Sequence, residues 1–378
     1  MSGASSTRRG VAGVVVAAAL LAGCGGYDFD LRLAAAGAGH RGGAPSGGSA
    51  GGGGALPGGA AGSAGSPAGG GGAAGELGAL PGLVGWASVA DCGPRGTVGG
   101  DGGPRVAPAT AAELLEAAAA EGPTVIELRG EYDLGGELLD VTSDKTLVGV
   151  SGATLVGAVR VNGATNVVLQ NLRVDGAVAE NERDAVEVSS SSCVWIDHCE
   201  LVDGADGNLD IVRGSDLVTV SWTRFHYVTK TDDHRYSNLC GNEDTDTPGK
   251  LNVTFHHVWW GEGVLAQMPR VRHGKVHVYS SYYSAAGNEY CVGAGYMARL
   301  LVENCVFDGV SNPIRFQLDE DAETGEHTAE IVQRGNDVSG ASGALESRGA
   351  SFTPPYPYEL EATATVRASV MGAAGDRK

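Results

Sequence analysis

The hexamer Ile196-Asp197-His198-Cys199-Glu200-Leu201 (IDHCEL) recurs in outline along the chain: LQNLRV from Leu169, VSWTRF from Val220, FHHVWW from Phe255, VYSSYY from Val278 and VENCVF from Val302. Each copy has an apolar first position, a polar or aromatic third and an apolar or aromatic sixth. The steps between copies are 27, 24, 35, 23 and 24 residues. That period is too short for a strand-helix-strand unit and matches one coil of a parallel β-helix, in which each coil pairs only with its neighbours. A β-propeller is the alternative architecture, but its four-stranded blades need about 40 residues each. The third positions, Asn171, His198 and Asn304 among them, suit a side-chain ladder along the coils. The long 35-residue step implies an enlarged loop around TKTDDHRYSNLCGNEDTDTPGK, where function tends to sit on a rigid scaffold.

An open β-helix end exposes core and strand edges and needs a cover. ATAAELLEAAAAEGP supplies a helix: Thr110 and Glu113 form a capping-box signature, Leu114 and Leu115 give an apolar face, and Gly122-Pro123 stop it. TVIELRGEYDL then reads as strand. The segment TPPYPYELEATATVRASV reads as an extended tail along the coil.

Residues 34 to 78 are almost wholly Gly, Ala, Ser and Pro, too poor in apolar bulk to offset chain entropy, so 24–79 is expected to be a tether and 80–378 one folded domain. Before it, Arg8 and Arg9 precede a short apolar run ending in Leu21-Ala22-Gly23-Cys24. This layout is that of a signal peptide (1–23), and the ending resembles a bacterial lipobox with Cys24 as the lipidated residue. The expected location is the outer membrane or cell surface through a lipid anchor, or outside the cell. Six other cysteines then allow up to three disulfides or buried thiols, and their spacing selects no pairing.

The formal net charge of −19 argues against a nucleic-acid partner. Against that background LAQMPRVRHGKVHVYSS (265–281) gathers Arg270, Arg272, His273, Lys275 and His277. Glu182, Asp184, Asp206 and Asp210 form an acidic group: Glu182 and Asp184 alternate to one face of an extended segment, and Asp206 and Asp210 bracket a turn. Converging carboxylates repel unless a cation joins them, and hard oxygen donors select calcium. DGADGN is also an ordinary Asp/Gly turn composition. The histidines have no zinc spacing: His256 and His257 should face opposite sides of a strand, and His273 and His277 lie about 13 Å apart if extended. Trp195, Trp222, Trp259 and Trp260 offer sugar-stacking surfaces, although Trp222 at a repeat position reads as core.

Taken together, DAVEVSSSSCVWIDHCELVDGADGNLDIVRGSDLVTVSWTRF, VTFHHVWW and MPRVRHGKVHVYSSYY resemble the pectate lyase family (polysaccharide lyase family 1), and GWASVADCGPRGTVGGDGG resembles its entry segment. The resemblance covers about residues 82–345 and implies an all-β, single-stranded, right-handed parallel β-helix with an N-terminal capping helix. It implies calcium at Glu182, Asp184, Asp206 and Asp210, and a polygalacturonate substrate cleaved by a monomer through β-elimination. Arg272 matches the arginine that holds a substrate carboxylate through its planar fork, with Arg270 two residues before it to assist. Lys230 falls near the family's substrate lysine, with Arg235 as its alternative. The family's catalytic base, an arginine two residues before the proline, is Gln267 here. A neutral amide takes no proton at neutral pH, and loss of a base typically lowers rate by about 10²–10⁴. Two functions follow: a calcium-dependent pectate lyase, or a non-catalytic polyuronate-binding protein on a lyase frame. A calcium-independent pectin lyase would carry fewer acids near Asp206 and more groove aromatics.

Overall fold

The computed structural model describes residues 82–177, 183–243, 248–316, 329–343 and 345–376, with the side chain of residue 151 excepted. The expected signal peptide, Cys24, the expected tether and Glu182 lie outside the described residues.

Repeats of one strand pattern can bury their apolar positions only by stacking, and the chain does so as a parallel β-solenoid of about eight turns. Its strands pair in register along three faces. On the first face the leading residues of the hexamers form one inward stack, Leu169↔Ile196↔Val220↔Phe255↔Val278↔Val302. Each is at most 2% exposed. On the second face the sixth positions do the same, Val174↔Leu201↔Phe225↔Trp260↔Tyr283↔Phe307. Trp260 and Tyr283 stack at 4.5 Å, and Tyr283 and Phe307 at 4.3 Å. Full burial of such side chains stabilises by roughly 1.5–3 kcal/mol each. In-register parallel pairing between successive coils excludes the propeller.

The third positions make the corner between these faces. Asn171, His198, Trp222, His257, Ser280 and Asn304 all have φ between +47° and +54°. Of these side chains asparagine tolerates the left-handed geometry best. Trp222 is therefore not core: it is partly exposed and lies between His198 and His257, with ring centroids at 5.8 and 4.2 Å. The same corner corrects the reading of the adjacent histidines. His257 has left the strand, so its Nδ1 meets His256 Nδ1 at 3.0 Å instead of facing away.

Helix α1 (Ala111–Ala119) places Leu114 and Ala118, both fully buried, in the core at the start of the solenoid. Thr110 Oγ1 accepts from Glu113 N, while Glu113 Oε2 accepts from Ala109 N, one residue before the cap. The entry segment docks on the first face through Trp86 N to Thr254 Oγ1 (3.1 Å) and Ala87 N to Thr219 Oγ1 (2.9 Å). Gly85 permits that approach: a Cβ there would stand 2.5 Å from Thr219 Oγ1, and its φ is +132°. Cys92 and Cys193 form a disulfide, whereas Cys199, Cys240, Cys291 and Cys305 are buried free thiols. The extended tail is only half the C-terminal story. Tyr356 and Tyr358 do lie against His277, but Thr363–Ala373 is a helix, α2, which buries Val366 and Val370 against Tyr282 and Val306.

Candidate functional site

The third face carries the site. Its strands Val186–Ser189, Gly207–Val212, Tyr236–Cys240, Arg270–Val271, Val292–Ala294 and Ile314–Phe316 belong to successive coils. Paired residues of parallel strands point the same way, about 4.8 Å apart per strand. Leu209, Ile211, Val271, Val292 and Ile314 point into the core, so their alternates point out. One outward row therefore reads Glu187↔Asp210↔Leu239↔Arg270↔Gly293↔Arg315.

Asp206 and Asp210 do not bracket a turn. Pairing with Val186–Ser189 draws Gly207–Val212 into a strand, with Asp206 just before it and Asp210 inside it. Arg183 O accepts from Ala205 N and Asp206 N, and Ala185 N donates to Gly207 O. These bonds bring Asp184 beside Gly207. A Cβ on Gly207 would lie 2.8 Å from Asp184 Oδ1 and 3.5 Å from Asp210 Oδ1, so the two carboxylates share the cradle that the missing side chain leaves. Among the described residues, Asp184 Oδ1 is buried and accepts no hydrogen bond. Burial, then Asp210 and Asp206, push the Asp184 carboxyl well above the usual range. Burial and Asp206 push Asp210 up to about 8. Two like charges at one cradle fit a hard cation. Among the described residues, however, no three acidic, His or Cys groups gather as a metal site. Asp206 Oδ1 is instead 2.6 Å from His234 Nε2. Asp184 and Asp210 therefore offer hard oxygen donors at one cradle, with Asp206 adjacent and engaged by His234.

Lys230 stands next to this cluster, its Nζ donating to Ala205 O and lying 3.8 Å from Asp232 Oδ1. Its loop is held by Asp203, whose carboxylate accepts from Val228 N, Thr229 N and Thr229 Oγ1 at 2.7, 3.0 and 2.8 Å. Arg235 is partly buried and points Nε at Asp232 O (2.8 Å), while its carbonyl accepts from Leu265 N. Arg272 is 8% exposed, more enclosed than a surface substrate arginine would be, and donates Nη1 to Gly241 O at 3.2 Å. Arg270 is partly exposed on the outward row, two strands from Asp210. Gln267 follows Ala266, which lies in the row Gly207↔Tyr236↔Ala266 two strands from the cradle. It is partly exposed, has φ +62°, and its carbonyl accepts from Asn238 N at 2.6 Å.

The four tryptophans offered for sugar stacking, Trp195, Trp222, Trp259 and Trp260, do not join these groups. Trp195 and Trp260 are buried at 1% and 0%, Trp222 lies in the corner stack, and Trp259 is on the second face, under Arg224 at 4.2 Å. Two contributors were not singled out from sequence. Asp203 was one of several acids in VDGADG with nothing to mark it as the loop anchor, and His234 had no visible partner because Asp206 is 28 residues away.

The pectate lyase family model matches residues 136–378. A pectate trisaccharide-lyase of Thermotoga maritima is 38% identical over 216 residues, covering 53% of this chain and 57% of that protein. The chain thus spans little more than half of that relative. Pectate lyase plyB of Emericella nidulans is 32% identical over 276 residues, 70% of this chain and 79% of its own. Among solved structures, pectate lyase Bsp165PelA from Bacillus sp. N165, in complex with trigalacturonate, superposes with a TM-score of 0.62 at 25% identity, over 78% of this chain and 98% of that one.

Proposed function

The chain belongs to the pectate lyase family, and from that premise we propose that it cleaves polygalacturonate by calcium-assisted β-elimination. The observation that carries the proposal is the meeting of Asp184 and Asp210 at Gly207, with Arg270 two strands further along the same outward row.

In this reading Asp184 and Asp210 would hold calcium, with Asp206 and Glu182 as the further acids that the family resemblance assigns to it. The chemistry a calcium ion would supply there is electrostatic stabilisation of the negative charge that develops on the uronate as its α-proton leaves. Arg270 orients a second carboxylate, and Arg272, bonded to Gly241 O, fixes the strand end and adds positive potential. Lys230, presented by the Asp203-anchored loop, faces the same anion beside the cluster. Arg235 stiffens that loop from its other end.

Gln267 occupies the family's base position and supplies no titratable group. That substitution favours the second reading, a polyuronate-binding protein with little or no turnover. The comparison of the unsubstituted chain with Gln267→Arg, following ultraviolet absorbance of unsaturated product on polygalacturonate with calcium, separates the two. Slow turnover that rises by about 10²–10⁴ with arginine supports a lyase impaired at its base. Turnover indifferent to the substitution places the base elsewhere. No turnover in either chain, with calcium-dependent binding retained, supports the binding protein.

We infer export as well, because the Cys92–Cys193 disulfide belongs in an oxidising compartment and the leader ends at a lipobox-like Cys24. Incorporation of a labelled fatty acid that disappears in Cys24→Ala tests the anchor.

A further inference from the structure

The outward row does not end at Arg270. It continues through Gly293, which has no side chain, to Arg315. Ile314 packs in the core, so Arg315 stands on the outer face with Asp210 and Arg270. Two strand spacings, about 9.6 Å, separate Asp210 from Arg270, and the same interval separates Arg270 from Arg315. A carboxylate-bearing polymer lying across the strands from Asp210 would pass Arg270 and then Arg315 at that interval.

The Arg315 side chain is also positioned. Its guanidinium lies over the Tyr290 ring, 5.2 Å from the centroid. Tyr290 is 4% exposed, and the loop that carries it is tied to the next coil at Asn288 and Glu289. Asn288 Oδ1 accepts from Ser311 N at 2.7 Å, Asn288 Nδ2 donates to Ser311 O at 2.9 Å, and Asn312 Nδ2 donates to Glu289 O at 2.8 Å. An arginine held over an aromatic face loses less freedom when it takes an anion.

We propose that Arg315 forms an outlying carboxylate-binding position of the same groove, taking a uronate unit of a bound chain beyond the unit at Arg270. The inference rests on the groove being a polyuronate site and specifies how far that groove runs. It makes affinity depend on chain length.

The test uses the full chain in calcium with oligogalacturonates from trimer to octamer and with polygalacturonate, reading KM, or Kd where no turnover occurs. In the unsubstituted chain affinity rises with length. In Arg315→Ala the rise stops at a shorter oligomer, and affinity for the longest chains falls about tenfold, the effect of losing one charge-assisted contact. Arg315→Gln keeps most of the aliphatic stem without the charge and gives the same loss if truncation to alanine disturbs folding. A length profile unchanged in both variants overturns the inference and leaves the polyuronate reading standing. An unsubstituted chain that neither binds nor cleaves any uronate polymer overturns both.

Discussion

His234 Nε2 lies 2.6 Å from Asp206 Oδ1, and this contact engages one carboxylate of the acidic group while Asp184 and Asp210 meet at Gly207. Both side chains of the pair are about half exposed, at 47% and 50%. An exposed pair contributes only about 0.2–1 kcal/mol, so a calcium ion displaces it readily. His234→Ala is expected to tighten calcium binding by up to about fivefold, as read by titration calorimetry. Weaker binding would mean that His234 holds Asp206 in place for the metal instead of competing for it.

Gly207→Ala tests the cradle directly. The added Cβ would stand 2.8 Å from Asp184 Oδ1. That atom ends a side chain that can turn, so the fold survives while the carboxylates part. Calcium affinity should fall at least about tenfold, with a melting temperature in chelator near that of the parent. Unchanged affinity would place the metal elsewhere.

Cation-free stability should fall as pH rises through neutrality. Asp210 is pushed up to about 8, and Asp184 also lies well above its ordinary range, whereas unfolded aspartates titrate near 3.9. Between those values the folded chain holds more protons than the unfolded one, so stability declines with rising pH. His256 acts oppositely: burial lowers its pKa to about 3, and the unfolded value near 6.5 makes stability rise with pH up to that point. The diagnostic window is therefore about 6.5 to 8. In chelator the melting temperature should drop across it, and calcium should abolish the drop. A flat profile in chelator would contradict the raised carboxyls.

The coil was legible because one hexamer recorded two inward stacks and the corner between them, from Leu169 to Phe307. Trp222 misled because burial and left-handed corner geometry both recur with the coil period, and only pairing tells them apart. The acids Asp184, Asp206 and Asp210 were visible as residues, but their geometry was not. Whether Asp206 and Asp210 flank a turn or enter a strand depends on pairing with Val186–Ser189, a partner outside their own segment. The row that joins Asp210, Arg270 and Arg315 is likewise a product of register, spread over 105 residues of chain. The disulfide was undetermined for the same reason: Cys92 and Cys193 are 101 residues apart and meet only once the entry segment docks on the first face.

The most direct measurement is the rate of unsaturated product formation from polygalacturonate in calcium, for the unsubstituted chain and for the Asp184→Asn, Asp210→Asn double variant. A calcium-assisted lyase predicts product from the parent, abolished by chelator, and at least about a hundredfold less from the double variant. Equal product from both chains, or product that persists in chelator, would contradict it.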